Sequence, residues 1–344
     1  MIRLSEFLSP RPEPLWDLIR QAGVMDVVAV LRGGEQEQRM FASLHHGHQG
    51  RHAQDHVPWS EASIAEDQAV FADAGFSVAA IEDTVPMDRI RLGLPGRDED
   101  IESVIEQIHA MGNLGIGVLC YNWMAISSWS RTSIDRPGRG GARVTAFRAR
   151  DADALPDVEG SAVEPEQMWS ALEYFLHAVI PVAERSGVRL GMHPDDPPLP
   201  RLRGVSRIMG SADAFRRLLG LDPSGHNGIT FCQANFALME RDVPALIHEF
   251  GSRIPFVHFR NVRGTADDFV ETFHDDGDID MLACMRAYAE IGFDGPLRPD
   301  HVPTMAGESN ARPGYESLGR LFALGYTRGL AQAAYGVDAA GGLR

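Results

Sequence analysis

The 344-residue sequence predicts an α/β fold, a parallel (β/α)8 TIM barrel, and three observations carry that prediction. Short apolar runs recur along the chain with helix-like segments between them, the pattern of parallel strands buried on both faces. Glycines stand just ahead of several of these runs, where a left-handed residue would end the preceding helix. Four residues able to ligate a metal, His193, Cys232, His258 and Asp300, each follow such a run. In a parallel barrel the carboxyl ends of all strands meet at one mouth, so the four side chains would converge there.

In chain order the runs are 27–31, 76–81, 116–121, 188–192, 229–232, 255–259 and 296–298, and the weaker opening segment 2–7 supplies an eighth. Gly23, Gly75, Gly115, Gly187 and Gly292 mark the helix ends before five of them. The clearest intervening helix is 165–185: Met168, Leu172, Phe175, Leu176, Val179 and Val182 fall on one helical face. Pro165 suits the first helical position, and Pro181 predicts a kink in the last turns. Residues 131–163 are rich in Arg, Gly and Asp without sustained periodicity and predict a long loop over the site. A second insertion, 33–60, carries His45, His46, His48, His52 and His56 at irregular spacing and reads as a solvated loop. No low-complexity linker divides the chain, which predicts one domain over 1–344.

A hydrophobic content of 44% is enough for a sizeable core, and no apolar run is long enough to span a bilayer. The opening residues, broken by charges and prolines, lack the form of a secretory signal, so the expectation is a cytoplasmic protein. Cys120, Cys232 and Cys284 are few, odd in number and widely spaced, which predicts free thiols. With 32 Lys plus Arg against 48 Asp plus Glu, the net charge of −16 argues against nucleic acid or an anionic membrane as partner. An anionic substrate would need a metal or local arginines to hold it.

Two imidazoles, a thiolate and a carboxylate form a donor set that permits Zn, Mn, Fe or Co. Beside Asp300, His301 is placed for proton transfer near neutral pH, and Tyr315, after Pro-Gly, is a second proton-transfer candidate. Glu82 and Asn122 end two further runs, where they would hydrogen-bond a polyol chain. In the segment HPDDPP, Asp195 or Asp196 would orient a ligand histidine or contact substrate hydroxyls. Arg260 and Arg298 lie next to the candidate ligands, as a bidentate clamp for a substrate carboxylate would.

Together the segments CYNWM, WSRT, IPVAERSGVRLGMHPDDPP, FVHFRN, TFHDDGDIDM, LRPDH and RPGYESLGRLFALGYTRGL resemble mannonate dehydratase, within the xylose-isomerase-like barrels. The resemblance covers most of the chain and is strongest over 115–329. It implies a hydro-lyase of hexuronate and glucuronate catabolism that converts D-mannonate to 2-keto-3-deoxy-D-gluconate. It further implies a divalent ion, usually manganese, on His193, Cys232, His258 and Asp300, with His301 and Tyr315 moving protons. Association into a homo-oligomer, a dimer or tetramer, is a further expectation. The same donors would also serve a related sugar isomerase or epimerase, or a non-catalytic sugar-acid binding protein.

Overall fold

The computed structural model describes residues 2–37, 56–126, 128–158 and 162–336. Eight parallel strands close a barrel: β1 (Arg3–Leu8), β2 (Asp26–Ala29), β3 (Ser77–Ile81), β4 (Val118–Asn122), β5 (Arg189–His193), β6 (Asn227–Cys232), β7 (Phe256–Phe259) and β8 (Pro296–Pro299). Each strand pairs with its neighbour in sequence, and β8 returns to β1. All eight expected runs fall on these strands, with ends shifted by a residue or two. The weak opening segment does close the barrel.

Alternation along the strands sorts the side chains. Val27, Leu190, Met192, Phe231, Val257 and Leu297 join the large core between strands and helices. Phe7, Val28, Ala80, Val118, Cys120 and Phe256 form a smaller cluster inside the barrel. Because the side-chain period is two, Asn122 follows Cys120, and His258 follows Phe256, on that inner face.

The helix Pro165–Ser186 buries Met168, Leu172, Phe175, Leu176, Val179 and Val182, the stripe read from the sequence. It starts with Pro165 in its first turn and runs as one helix across Pro181. Gly187 ends it in the left-handed conformation, with φ of 68°. Of the histidine-rich insertion, His45, His46, His48 and His52 lie outside the described residues; the His56 Nε2 contacts the Arg32 carbonyl oxygen at 2.9 Å.

The expectation of a structureless loop over 131–163 is corrected by the fold. Ser133–Pro137 and Arg143–Arg148 are antiparallel strands, followed by a short helix, Ala149–Asp153. They join Asp268–Glu271 and Val262–Thr265, from the loop after β7, in a four-stranded antiparallel sheet. Phe269 faces Phe147 across that sheet, with ring centroids 5.8 Å apart. The sheet touches the segment that follows β8 through a bridge from Arg143 to Thr304. Among the described residues, no helix is long and apolar enough to cross a membrane.

Candidate active site

The barrel register brings the expected ligands side by side. Cys232 is the β6 partner of His258 on β7, His258 is the partner of Arg298 on β8, and Asn122 on β4 is the partner of His193 on β5. Asp300 comes two residues after Arg298, so it shares that inner face one step nearer the mouth. His193, Cys232 and His258 each offer a donor atom, and these atoms lie within 4.8 Å of one another. Asp300 Oδ2 is 3.8 Å from His258 Nδ1.

Both imidazoles have a ring nitrogen suited to a cation. His193 Nδ1 is 2.7 Å from the Pro194 carbonyl oxygen, which puts the proton on Nδ1 and leaves the Nε2 lone pair free. His258 presents Nε2 to the Glu82 carboxylate at 3.2 Å, while its buried Nδ1 has no hydrogen-bond partner among the described residues and faces Asp300. An orphaned buried nitrogen is costly unless something occupies the space before it. Burial, reinforced by His258, lowers the His193 imidazole to about 3, and burial also lowers His258. Both rings are therefore neutral near pH 7, as metal ligation requires. Burial pushes the Cys232 thiol up to about 12. Against burial, His301, Arg298 and Arg260 hold Asp300 well below the usual carboxylate range. The residues present thus fit a divalent metal.

A cavity of about 360 Å³ opens at this end of the barrel. Glu82, Asn122, His193, His258, Asp300, His301 and Tyr315 line it, with Trp129 and Pro313 from outer loops and Ile134 from the strand Ser133–Pro137. His301 and Tyr315 meet edge to face with ring centroids 5.2 Å apart. The Tyr315 hydroxyl lies 3.5 Å from Asp300 Oδ1, and His301 Nε2 lies 3.8 Å from that same oxygen. Expected proton-transfer and ligand residues therefore share one wall.

Three expectations about substrate contacts need correction. Asp195 is fully buried and does not line the cavity; its carboxylate accepts from the Met209 backbone N–H at 2.7 Å and pairs with Arg207 at 3.4 Å. Asp196, its neighbour, lines the cavity instead. Arg298 does line the cavity, but its guanidinium forks onto Glu82 through two 3.0 Å hydrogen bonds and reaches Asp300 at 2.8 Å. Arg298 and His258 hold the Glu82 carboxyl down to about 2 despite its burial. Arg260 sits behind the lining, donating to Glu271 at 2.7 Å and to Asp196 at 2.8 Å. The two arginines are committed to protein carboxylates, as buried cations must be.

Sequence reasoning gave no role to Glu271 or Arg131. Glu271 lies 2.6 Å from His301 Nδ1, and Arg131 bridges Asp196 at 2.7 Å and Glu271 at 2.6 Å. Arg131 stands inside WSRT and Glu271 directly ahead of TFHDDGDIDM, so proximity to those motifs was the available signal.

Fold and donor set define the class: a xylose-isomerase-like TIM barrel whose mouth suits a divalent metal. D-psicose 3-epimerase from Clostridium cellulolyticum H10, solved with D-tagatose, shares the fold at 12% identity, with a TM-score of 0.58 over 97% of this chain and 99% of that one. The family model described as D-mannonate dehydratase (UxuA) matches residues 14–159 and 159–339, and the chain belongs to that family. Mannonate dehydratase 1 of Bacillus licheniformis is 33% identical over 84% of this chain and 86% of its own length. The mannonate dehydratase of Streptococcus pneumoniae is 34% identical, over 80% and 83%. The crystal structure of mannonate dehydratase from Streptococcus suis serotype 2 superposes with a TM-score of 0.85 at 30% identity, covering 97% of this chain and 95% of that one.

Proposed function

We propose that the protein dehydrates D-mannonate to 2-keto-3-deoxy-D-gluconate, using a divalent ion, manganese, held by His193, Cys232, His258 and Asp300. One observation carries the reading: three donor atoms gather within 4.8 Å, and the His258 Nδ1, without a hydrogen-bond partner among the described residues, faces the Asp300 carboxylate. When bound, the ion supplies Lewis acidity toward the substrate carboxylate and the neighbouring hydroxyl, which acidifies the C2 proton.

The chain's own residues then move protons. His301 takes the C2 proton at Nε2, and the C2–H electrons form the C2=C3 bond as the C3 hydroxyl leaves. Burial and the Asp300 charge push the Tyr315 hydroxyl well above its usual range, so it stays protonated and can donate to the departing hydroxyl, which leaves as water. The enol regains a proton at C3 from His301 and returns its hydroxyl proton to Tyr315, completing the 2-keto acid. Asn122 and Glu82 lie along the wall where a polyol chain would rest. Cytoplasmic hexuronate catabolism and assembly as a dimer or tetramer are part of the same proposal.

The test is 2-keto acid release from D-mannonate and a panel of other aldonates, after metal removal and after Mn2+ replacement. Turnover of D-mannonate restored by Mn2+ is the expected result. Epimerisation of a ketose supplied in place of the aldonates, with no 2-keto acid from any aldonate, would move the assignment to an isomerase or epimerase, and binding of aldonates without any product would make the chain a binding protein.

A further inference from the structure

His301 belongs to the barrel, but its Nδ1 is held from outside it. Glu271 ends the strand Asp268–Glu271 of the antiparallel sheet, and its Oε1 lies 2.6 Å from that nitrogen. The other Glu271 oxygen accepts the Thr145 hydroxyl, from the adjoining strand Arg143–Arg148. Arg131 and Arg260 donate to Oε1 at 2.6 and 2.7 Å, and both also donate to Asp196. Two guanidiniums and two carboxylates thus form a buried box, with His301 at one corner. Arg131, His301 and Arg260 hold Glu271 well below the usual carboxylate range despite its burial.

A buried ion network would by itself serve only to fasten the sheet to the barrel. The corner at Nδ1 adds chemistry, because Arg260 Nη1 lies 2.5 Å and Arg131 Nη2 lies 3.4 Å from the same nitrogen. An arginine can only donate, so it can satisfy Nδ1 only when that nitrogen carries no proton, which places the proton of a neutral ring on Nε2. Glu271 can only accept, which keeps the proton on Nδ1 and frees the Nε2 lone pair. The arginines and the carboxylate therefore favour opposite tautomers.

We propose that Glu271 is a positioning residue: it wins that competition, fixes His301 as the Nδ1–H tautomer, and so aims a basic Nε2 into the cavity. The inference rests on the reading of His301 as the base, and its consequence for rate follows from the orienting carboxylate of other histidine bases. Arg131 and Arg260 keep Glu271 ionised, and Thr145 fixes its rotation.

The deciding measurement is the ring-nitrogen spectrum of the 15N-histidine-labelled, Mg2+-loaded protein, with the His301 signals identified by their absence in His301→Asn. Protonated Nδ1 and bare Nε2 in the wild-type protein are expected; a proton on Nε2 overturns the proposal whether or not D-mannonate is a substrate. Glu271→Gln should lower kcat by about 10²-fold or more, with KM and bound metal unchanged, and should shift the tautomer toward Nε2–H. In the His301→Asn background the same substitution should add no further loss. Equal loss in both backgrounds would leave Glu271 a merely structural residue. If Glu271→Gln does not fold, the wild-type spectrum decides alone.

Discussion

Under the proposed ligation, Cys232 would meet a cation as a protonated thiol, whereas His193 would meet it already neutral. Burial sets both states, raising the thiol to about 12 and lowering the imidazole to about 3. Between about pH 7 and pH 8 the thiol proton must leave on ligation while the imidazoles have none to lose, so apparent metal affinity should rise about tenfold per pH unit. Calorimetric titration of the metal-free protein with Mn2+, in buffers of differing ionisation enthalpy, should register about one proton released, and Cys232→Ser should abolish that release. Removing a ligand and removing a proton carrier should separate cleanly. Asp300→Asn and His193→Ala should lose both bound metal and turnover, whereas His301→Asn should retain metal and lose about 10²–10⁴-fold in kcat. Near-normal rates in His301→Asn would exclude that residue from proton transfer.

At the scale of elements, the barrel strands were legible because each carries its own signature, an apolar run between helix ends. The stripe on Pro165–Ser186 and the glycine that terminates it were equally local. Gly187 is exposed, and an added Cβ would meet no atom of the described residues within 4 Å, so Gly187→Ala isolates the cost of a left-handed backbone. That cost should be about 1–2 kcal/mol in urea-induced unfolding, without change in metal binding. The antiparallel sheet was not legible, because the local hairpin of Ser133–Pro137 and Arg143–Arg148 lies in a stretch without sustained alternation and its further partner, Asp268–Glu271, lies far along the chain. Periodicity reports a strand's faces and says nothing of a distant partner. With that sheet went the roles of Glu271, Thr145 and Arg131.

Across the whole molecule, a net charge of −16 surrounds a mouth whose arginines are already paired. An anionic sugar acid approaches against that averaged field, so screening should help it. Raising salt from about 20 to about 200 mM should therefore increase kcat/KM at saturating Mn2+, modestly and without change in kcat. A fall in kcat/KM over that range would mean that a local positive potential at the mouth outweighs the net charge.

The sequence by itself determined the barrel and the identities of the four candidate ligands, since strand periodicity and strand-end position are properties of contiguous residues. It also placed His301 and Tyr315 near them. Only the tertiary structure decided that Asp196 rather than Asp195 meets the cavity, that Arg260 and Arg298 are spent on Asp196, Glu271, Glu82 and Asp300, and that Glu271 stands behind His301. Those outcomes turn on which way a side chain points and on contacts between segments remote in sequence, and both are fixed by packing and by the need to pair every buried charge.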